Sequence, residues 1–207
     1  MNLETASSSL DLSPADRRLY LITPFRPDLA EFLGAAVRGG VDLVQLRVKG
    51  LPDGELLDRA EAAREITRAL GVPLVVNDRP DIAVLAGADA VHLGQDDLPP
   101  EAARGFGIPV GLSTHAEEEI TRADADYIGV GPVFATPTKA GRPPVGLELV
   151  RYAAAHARVP WFAIGGIDAG NVAAVVAAGA RRIAVVRAIG DAEDPEDAAA
   201  ELRAALA

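Results

Sequence analysis

The stretch YIGVGPVFATPTKAGRPP, residues 127–144, holds the choice between two folds. Its first four residues, Tyr127 to Val130, read as a short buried strand. The next segment, GVGPVF at 129–134, begins like the G-x-G-x-x-G turn that hands a nucleotide phosphate to a helix in an open, doubly wound sheet. Pro132 stands where that helix should open. The chain instead enters a loop in which Thr136, Thr138, Lys139 and Gly141 are set among Pro137, Pro143 and Pro144. A loop of this length is unusual in a compact α/β chain, and long loops commonly carry function. Prolines reduce the entropy lost on ordering, so a semi-rigid cover over a ligand is expected here.

Outward from this stretch the same unit recurs. Short β-branched runs alternate with alanine-rich amphipathic segments from residue 19 to the C-terminus, the pattern of an α/β chain with parallel strands. Strands are expected at 19–22, 42–46, 74–77, 90–93, 110–112, 127–130, 161–164 and 183–186. Helices are expected near 28–38, 53–70, 80–86, 99–105, 116–122, 146–157, 169–178 and 195–206. Eight such units fit a compact (β/α)8 TIM barrel, with a doubly wound open sheet as the alternative. The barrel is favoured because no strand-to-helix turn carries the dinucleotide fingerprint. Polar groups also follow strand after strand, as loops ringing one barrel face would, and do not gather at one crevice.

A chain of 207 residues suits a single domain with a sizeable core, and 49% hydrophobic residues exclude disorder for most of it. Residues 1–16, MNLETASSSLDLSPAD, are polar and read as a loose tail, leaving 17–207 as the barrel domain. Aromatics are only 4%, which disfavours base-stacking surfaces, and a net charge of −10 disfavours nucleic acid or anionic membrane as a partner. With no cysteine, thiolate metal sites and cysteine nucleophiles are excluded. No apolar run approaches the roughly 20 residues that span a bilayer, so a soluble, cytoplasmic protein is expected.

The strand ends carry the chemistry. VQLRVK places Gln45, Arg47 and Lys49 on one side of an extended chain, a fork of donors suited to a diphosphate. VVNDR and VHLGQDD each set acids just beyond an apolar run. Asp78 with either Asp96 or Asp97 would give Mg²⁺ two carboxylates, the remaining ligands being water and phosphate oxygens. The plainer reading is that Asp78 caps the next helix and that Asp96 and Asp97 form a turn before Pro99. Asn77, an amide ending an apolar strand, needs a partner inside the barrel mouth. Asp89 and His92 read as structural. GLSTH offers the Ser113 hydroxyl as a phosphate donor, with Thr114 or His115 starting a helix or facing substrate. No G-x-S-x-G elbow surrounds Ser113, which speaks against a hydrolase. His156 belongs to a helix surface. AIGGI and AVVRAI end the last two strands, where backbone N–H groups frequently hold a phosphate and where Gly165 and Gly166 allow close approach.

Taken together, VQLRVK, VNDR, VHLGQDDLP, GLSTH, YIGVGPVFATPTK, WFAIGGI and VVRAI resemble the thiamine phosphate synthase family over residues 19–206. The resemblance implies an enzyme that condenses 4-amino-2-methyl-5-hydroxymethylpyrimidine diphosphate with a thiazole phosphate, giving thiamine monophosphate and diphosphate. It implies that Gln45, Leu46, Arg47, Val48, Lys49, Asn77, Ser113 and Lys139 hold the pyrimidine diphosphate, and that Asp78 and Asp97 bind Mg²⁺. Thr136, Pro137, Thr138, Gly165, Val185 and Val186 would hold the thiazole phosphate. Arg47, Lys49 and Lys139 would assist departure of diphosphate, in a dissociative reaction that needs no protein nucleophile. Two positions depart from the family pattern: Val48, where many members carry an acid, and Arg187, where many carry a small residue. A related thiazole tautomerase using His115, and a catalytically silent barrel that binds a thiamine precursor, are the alternatives.

Overall fold

The computed structural model describes residues 17–136 and 143–207. The expected tail, residues 1–16, and Pro137, Thr138 and Lys139 lie outside the described residues. Eight parallel strands, β1 (Leu19–Thr23), β2 (Leu43–Leu46), β3 (Leu74–Asn77), β4 (Ala90–Leu93), β5 (Val110–Thr114), β6 (Tyr127–Val130), β7 (Trp161–Ile164) and β8 (Ile183–Val185), pair in sequence order. β8 returns to β1 through Leu19 opposite Ile183, which closes the barrel and removes the open-sheet alternative. The helices are α1 (Leu29–Arg38), α2 (Asp53–Ala69), α3 (Pro80–Leu85), α4 (Pro100–Ala103), α5 (Glu117–Arg122), α6 (Gly146–His156), α7 (Val172–Ala177), α8 (Arg187–Gly190) and α9 (Pro195–Ala205).

Period two along each strand sorts its residues between two environments. Leu21, Val44, Leu46, Val76, Val91, Leu93 and Val185 face outward and are buried under the helices. Tyr20, Ile22, Leu43, Val75, Ala90, Tyr127, Phe162 and Ala184 form the inner cluster. The three inner rings meet edge to face, with Tyr20 and Tyr127 centroids each within 6 Å of Phe162 (5.2 and 5.9 Å). Gly111 makes room for one of them, because a Cβ there would lie 2.1 Å from Tyr127 Cζ.

The base of the barrel is tied by a repeated aspartate. Asp42, Asp89 and Asp126 each precede an even-numbered strand and accept the N–H of Leu19, Leu74 and Val110 at 2.9, 2.8 and 2.7 Å. Their own N–H groups donate back to the carbonyls of those same residues. Asp89 is structural, as the sequence indicated. The C-terminal α9 begins on Asp194, whose side chain accepts the N–H groups of Glu196 and Asp197, with Pro195 in the first turn. α8 is an element the sequence reading lacked: four residues are too few to show a periodicity.

Candidate active site

The strand ends open into one cavity of about 390 Å³. Gln45 and Arg47 enter it from the β2 end, Asn77 from β3, His92 from β4 and Ser113 from β5. Thr136 belongs to the segment after β6, Gly165 and Gly166 follow β7, and Val185 to Arg187 close the ring after β8. Ile22, Ile164 and Ala184 supply apolar wall.

On the β2 side, inward residues alternate with outward ones, and this separates the expected ligands into two groups. Gln45 is buried inside the barrel and its Nε2 donates to Tyr20 Oη at 2.5 Å. Leu46 and Val48 pack into the outer core, so only their backbone can serve a ligand. Lys49 stands on the rim, its Nζ 2.9 Å from Asp78 Oδ2, and does not line the cavity. Asn77 is 7% exposed, and its buried Nδ2 has no hydrogen-bond partner among the described residues. A buried amide donor aimed at a cavity without a protein acceptor is a group that a ligand would satisfy.

Asp78 has a left-handed backbone, φ 65°. Its N–H donates to the His92 carbonyl at 2.8 Å, while the Arg79 N–H donates to the Asn77 carbonyl at 2.9 Å, a tight three-residue turn around Asp78. The expected helix-capping role is absent, since α3 has no side-chain cap and Arg79 is bound to Asp81 and Asp53. Asp78 instead meets Asp97. Burial, and then the hydrogen bond with Asp78, push the Asp97 carboxyl above its ordinary value. Asp97 Oδ2 also accepts the Gly94 N–H at 2.7 Å, so the turn-forming role holds alongside the pairing, whereas Asp96 is exposed. Among the described residues no group of three or more His, Cys, Asp or Glu gathers into a metal cage. Two adjacent carboxyls still fit Mg²⁺, which takes one or two carboxylates and completes its shell with water and phosphate oxygens.

The segment after β6 is pinned to the one after β7. Val133 N–H donates to the Ile164 carbonyl and Phe134 N–H to the Gly165 carbonyl, both at 2.9 Å. Gly165 and Gly166 have φ 103° and 65°, and a Cβ on Gly165 would lie 2.5 Å from Pro132 Cα. Loop apposition by itself therefore requires these glycines. Val185 is buried on the outer face, so only its backbone can serve a ligand, and Val186 packs against the inner cluster. Arg187 opens α8 at the cavity edge, and no ion pair involving it is formed among the described residues.

Several histidines and hydroxyls fall elsewhere than the sequence reading put them. Thr114 does not face substrate: it is fully buried, and its Oγ1 donates to the Gly129 carbonyl at 3.0 Å. The His115 ring binds the Gly131 carbonyl and its N–H donates to Glu119, so it braces the loop after β6 and does not line the cavity. His156 is exposed and stacks on Tyr152, as expected. His92 is satisfied by Ser113 and Tyr127, as its structural reading expected, and it also lines the cavity, which that reading did not include. Strand parity was the available signal, because Gln45, Asn77, His92 and Ser113 all occupy inward positions on successive strands.

Known proteins resemble this chain in sequence and fold. The sequence model of a family described as thiamine monophosphate synthase matches residues 19–189. A thiamine-phosphate synthase from Gloeobacter violaceus is 52% identical over 201 residues, covering 93% of this chain and 59% of that longer protein. One from Acidothermus cellulolyticus is 52% identical over 206 residues, covering 94% of this chain and 97% of the relative. Among solved structures, a thiamine phosphate pyrophosphorylase from Pyrococcus furiosus superposes with a TM-score of 0.82 at 34% identity, over 91% of this chain and 95% of that one. The family match over most of the chain, the near-complete alignment with these relatives and the shared barrel show that the chain belongs to the thiamine monophosphate synthase family.

Proposed function

We propose that this enzyme condenses 4-amino-2-methyl-5-hydroxymethylpyrimidine diphosphate with a thiazole phosphate, forming thiamine monophosphate and diphosphate. The observation that carries the reading is the convergence of Gln45, Arg47, Asn77, Ser113 and Thr136 on one cavity, with the Asp78–Asp97 pair beside it. The bond from the pyrimidine methylene to the diphosphate oxygen breaks with its electron pair leaving on the diphosphate. The thiazole nitrogen lone pair then forms the new C–N bond. No general base is needed, which agrees with a cavity whose one histidine, His92, is held by two protein hydroxyls.

Arg47 and Lys49, together with Lys139, stabilise the charge that develops on the departing diphosphate. Asn77 Nδ2 and the Ser113 hydroxyl add neutral donors. Asp78 and Asp97 would hold Mg²⁺, which when bound neutralises diphosphate oxygens. Ile22, Ile164 and Ala184 keep water from the methylene cation, whose capture by water would waste the substrate. Thr136, Pro137, Thr138, Gly165 and the backbone of Val185 and Val186 hold the thiazole phosphate, with Arg187 as an added cation. Two small anionic substrates suit a cytoplasmic enzyme without nucleic-acid or membrane partners, and among the described residues no helix is long and apolar enough to cross a membrane.

The test is formation of thiamine phosphate by purified protein supplied with both substrates, with and without Mg²⁺. Metal-dependent product is expected, and Arg187→Ser should raise the KM for thiazole phosphate about tenfold while sparing the pyrimidine diphosphate. Isomerisation of the thiazole without condensation would favour the tautomerase reading, and binding without turnover the silent one.

A further inference from the structure

A line of hydrogen bonds crosses the barrel under the cavity floor. Gln45 Nε2 donates to Tyr20 Oη at 2.5 Å, and the Tyr20 and Tyr127 hydroxyls are 3.1 Å apart. Tyr127 Oη lies 3.2 Å from His92 Nδ1, and His92 Nε2 lies 3.0 Å from Ser113 Oγ. β2, β1, β6, β4 and β5 each contribute one group. Both ends, Gln45 and Ser113, line the cavity, whereas Tyr20 and Tyr127 sit below it, 2% and 4% exposed. Phenylalanine would fill the same apolar interior without a polar group to satisfy, so the two hydroxyls call for a reason. Burial pushes both phenols well above their ordinary values and keeps them as neutral O–H donors.

Each hydroxyl and the neutral imidazole has one proton to give, so such a line has only two polarities. In the first, Gln45 donates to Tyr20, Tyr20 to Tyr127, and Tyr127 to His92 Nδ1. The imidazole proton then sits on Nε2 and points at Ser113 Oγ. Ser113 keeps its own hydrogen for the cavity, and Gln45 keeps its Oε1 as an acceptor. In the second polarity every bond reverses, and Ser113 spends its hydrogen on His92 and offers the cavity only lone pairs. An anionic diphosphate requires a donor at Ser113, and the exocyclic amine of an aminopyrimidine is served by an acceptor at Gln45. Only the first polarity satisfies both, and it is the one the Gln45 amide adopts.

We propose that Tyr20, Tyr127 and His92 are positioning residues that order the protons along this line, fixing Ser113 as a donor to the diphosphate and the Gln45 amide oxygen as an acceptor for the pyrimidine. The inference rests on the synthase reading of the cavity. Recognition of the ring at one end is thereby tied to grip on the leaving group at the other, since hydrogen bonds in a buried chain polarise one another.

Tyr127→Phe removes the middle hydroxyl and keeps the ring that packs on Tyr20 and Phe162. In the full-length enzyme, ¹⁵N shifts of the His92 ring should report the Nε2–H tautomer, and a mixture of tautomers in Tyr127→Phe. The KM for the pyrimidine diphosphate should rise about tenfold in Tyr127→Phe, with that for the thiazole phosphate unchanged. In a Ser113→Ala background the same change should add clearly less than in the wild type, because the part of its effect that passes through Ser113 is already lost. Additive effects, or a wild-type His92 protonated on Nδ1, would overturn the proposal. Tyr20→Phe breaks the line one link earlier and serves if Tyr127→Phe does not fold. The tautomer measurement needs no substrate, so failure of the synthase reading in the condensation assay is distinguishable from failure of this one.

Discussion

Asp78 carries a conformation that only its surroundings make tolerable. Its φ of 65° belongs to a region where a side chain's Cβ crowds the following carbonyl, though aspartate tolerates it better than most residues. The hydrogen bonds of its own N–H to His92 and of Arg79 to Asn77 hold it there, and the result is a carboxylate directed at Asp97 and Lys49. Strain stored beside a reactive mouth is a common device, and here it can be separated from charge. Asp78→Ala and Asp78→Gly both remove the carboxylate, so both should lower Mg²⁺-dependent turnover to a similar extent, about 100-fold. Their stabilities should differ. Alanine normally stabilises a chain relative to glycine by restricting the unfolded state, but at positive φ the order inverts, and the glycine variant should be more stable by about 1 kcal/mol. Urea denaturation of the two variants measures the difference, and a more stable alanine variant would remove strain from the account of this turn.

Among the elements, the three aspartate clamps explain why paired strands rise together from the base. A carboxylate that accepts one strand's first N–H, while its own N–H returns to that residue's carbonyl, fixes the stagger between the two strands at its lower end. Asp89 is the more buried case, held also by Arg64 at 3.0 Å, and burial raises its carboxyl above the ordinary value. Asp89→Ala would leave the Leu74 N–H and the Arg64 guanidinium without this acceptor, and should destabilise the fold by about 2–3 kcal/mol. Asp126 is exposed, and water can replace its carboxylate, so Asp126→Ala should cost about 1 kcal/mol. Equal losses in denaturant titrations would mean that burial does not set the clamp's strength. The sequence marked Asp89 as structural but not the clamp it forms, because the reciprocal bond joins residues 15 or more apart.

Across the whole molecule, the barrel was legible because most strands are short apolar runs with Gly, Pro or Asp at one end or both, and because polar residues recur at the same end of successive strands. The mouth was legible for the same reason, down to Asn77 and the two acids. Contacts across the interior were not. Alternation assigns Tyr20, His92 and Tyr127 to the inner face, but only closure of the barrel brings β1, β4 and β6 together. The choice between Asp96 and Asp97 likewise depended on how the turn after β4 folds back to Gly94. That turn leads to a property of the whole fold. Burial and Asp78 raise the Asp97 carboxyl above 3.8, so the folded chain binds this proton more tightly than the unfolded chain does. Without Mg²⁺, the contribution of Asp97 to stability therefore falls as pH rises through the raised value. A divalent cation needs the pair ionised and binds only the folded arrangement, so its stabilisation grows over the same interval. Calorimetric unfolding midpoints with and without millimolar Mg²⁺, taken from about pH 4 to about pH 8, should diverge as pH rises and then run parallel. Asp97→Asn should leave a small gap that does not change with pH. A gap in the wild-type chain that is the same at every pH would mean that the cation does not bind between these two carboxylates.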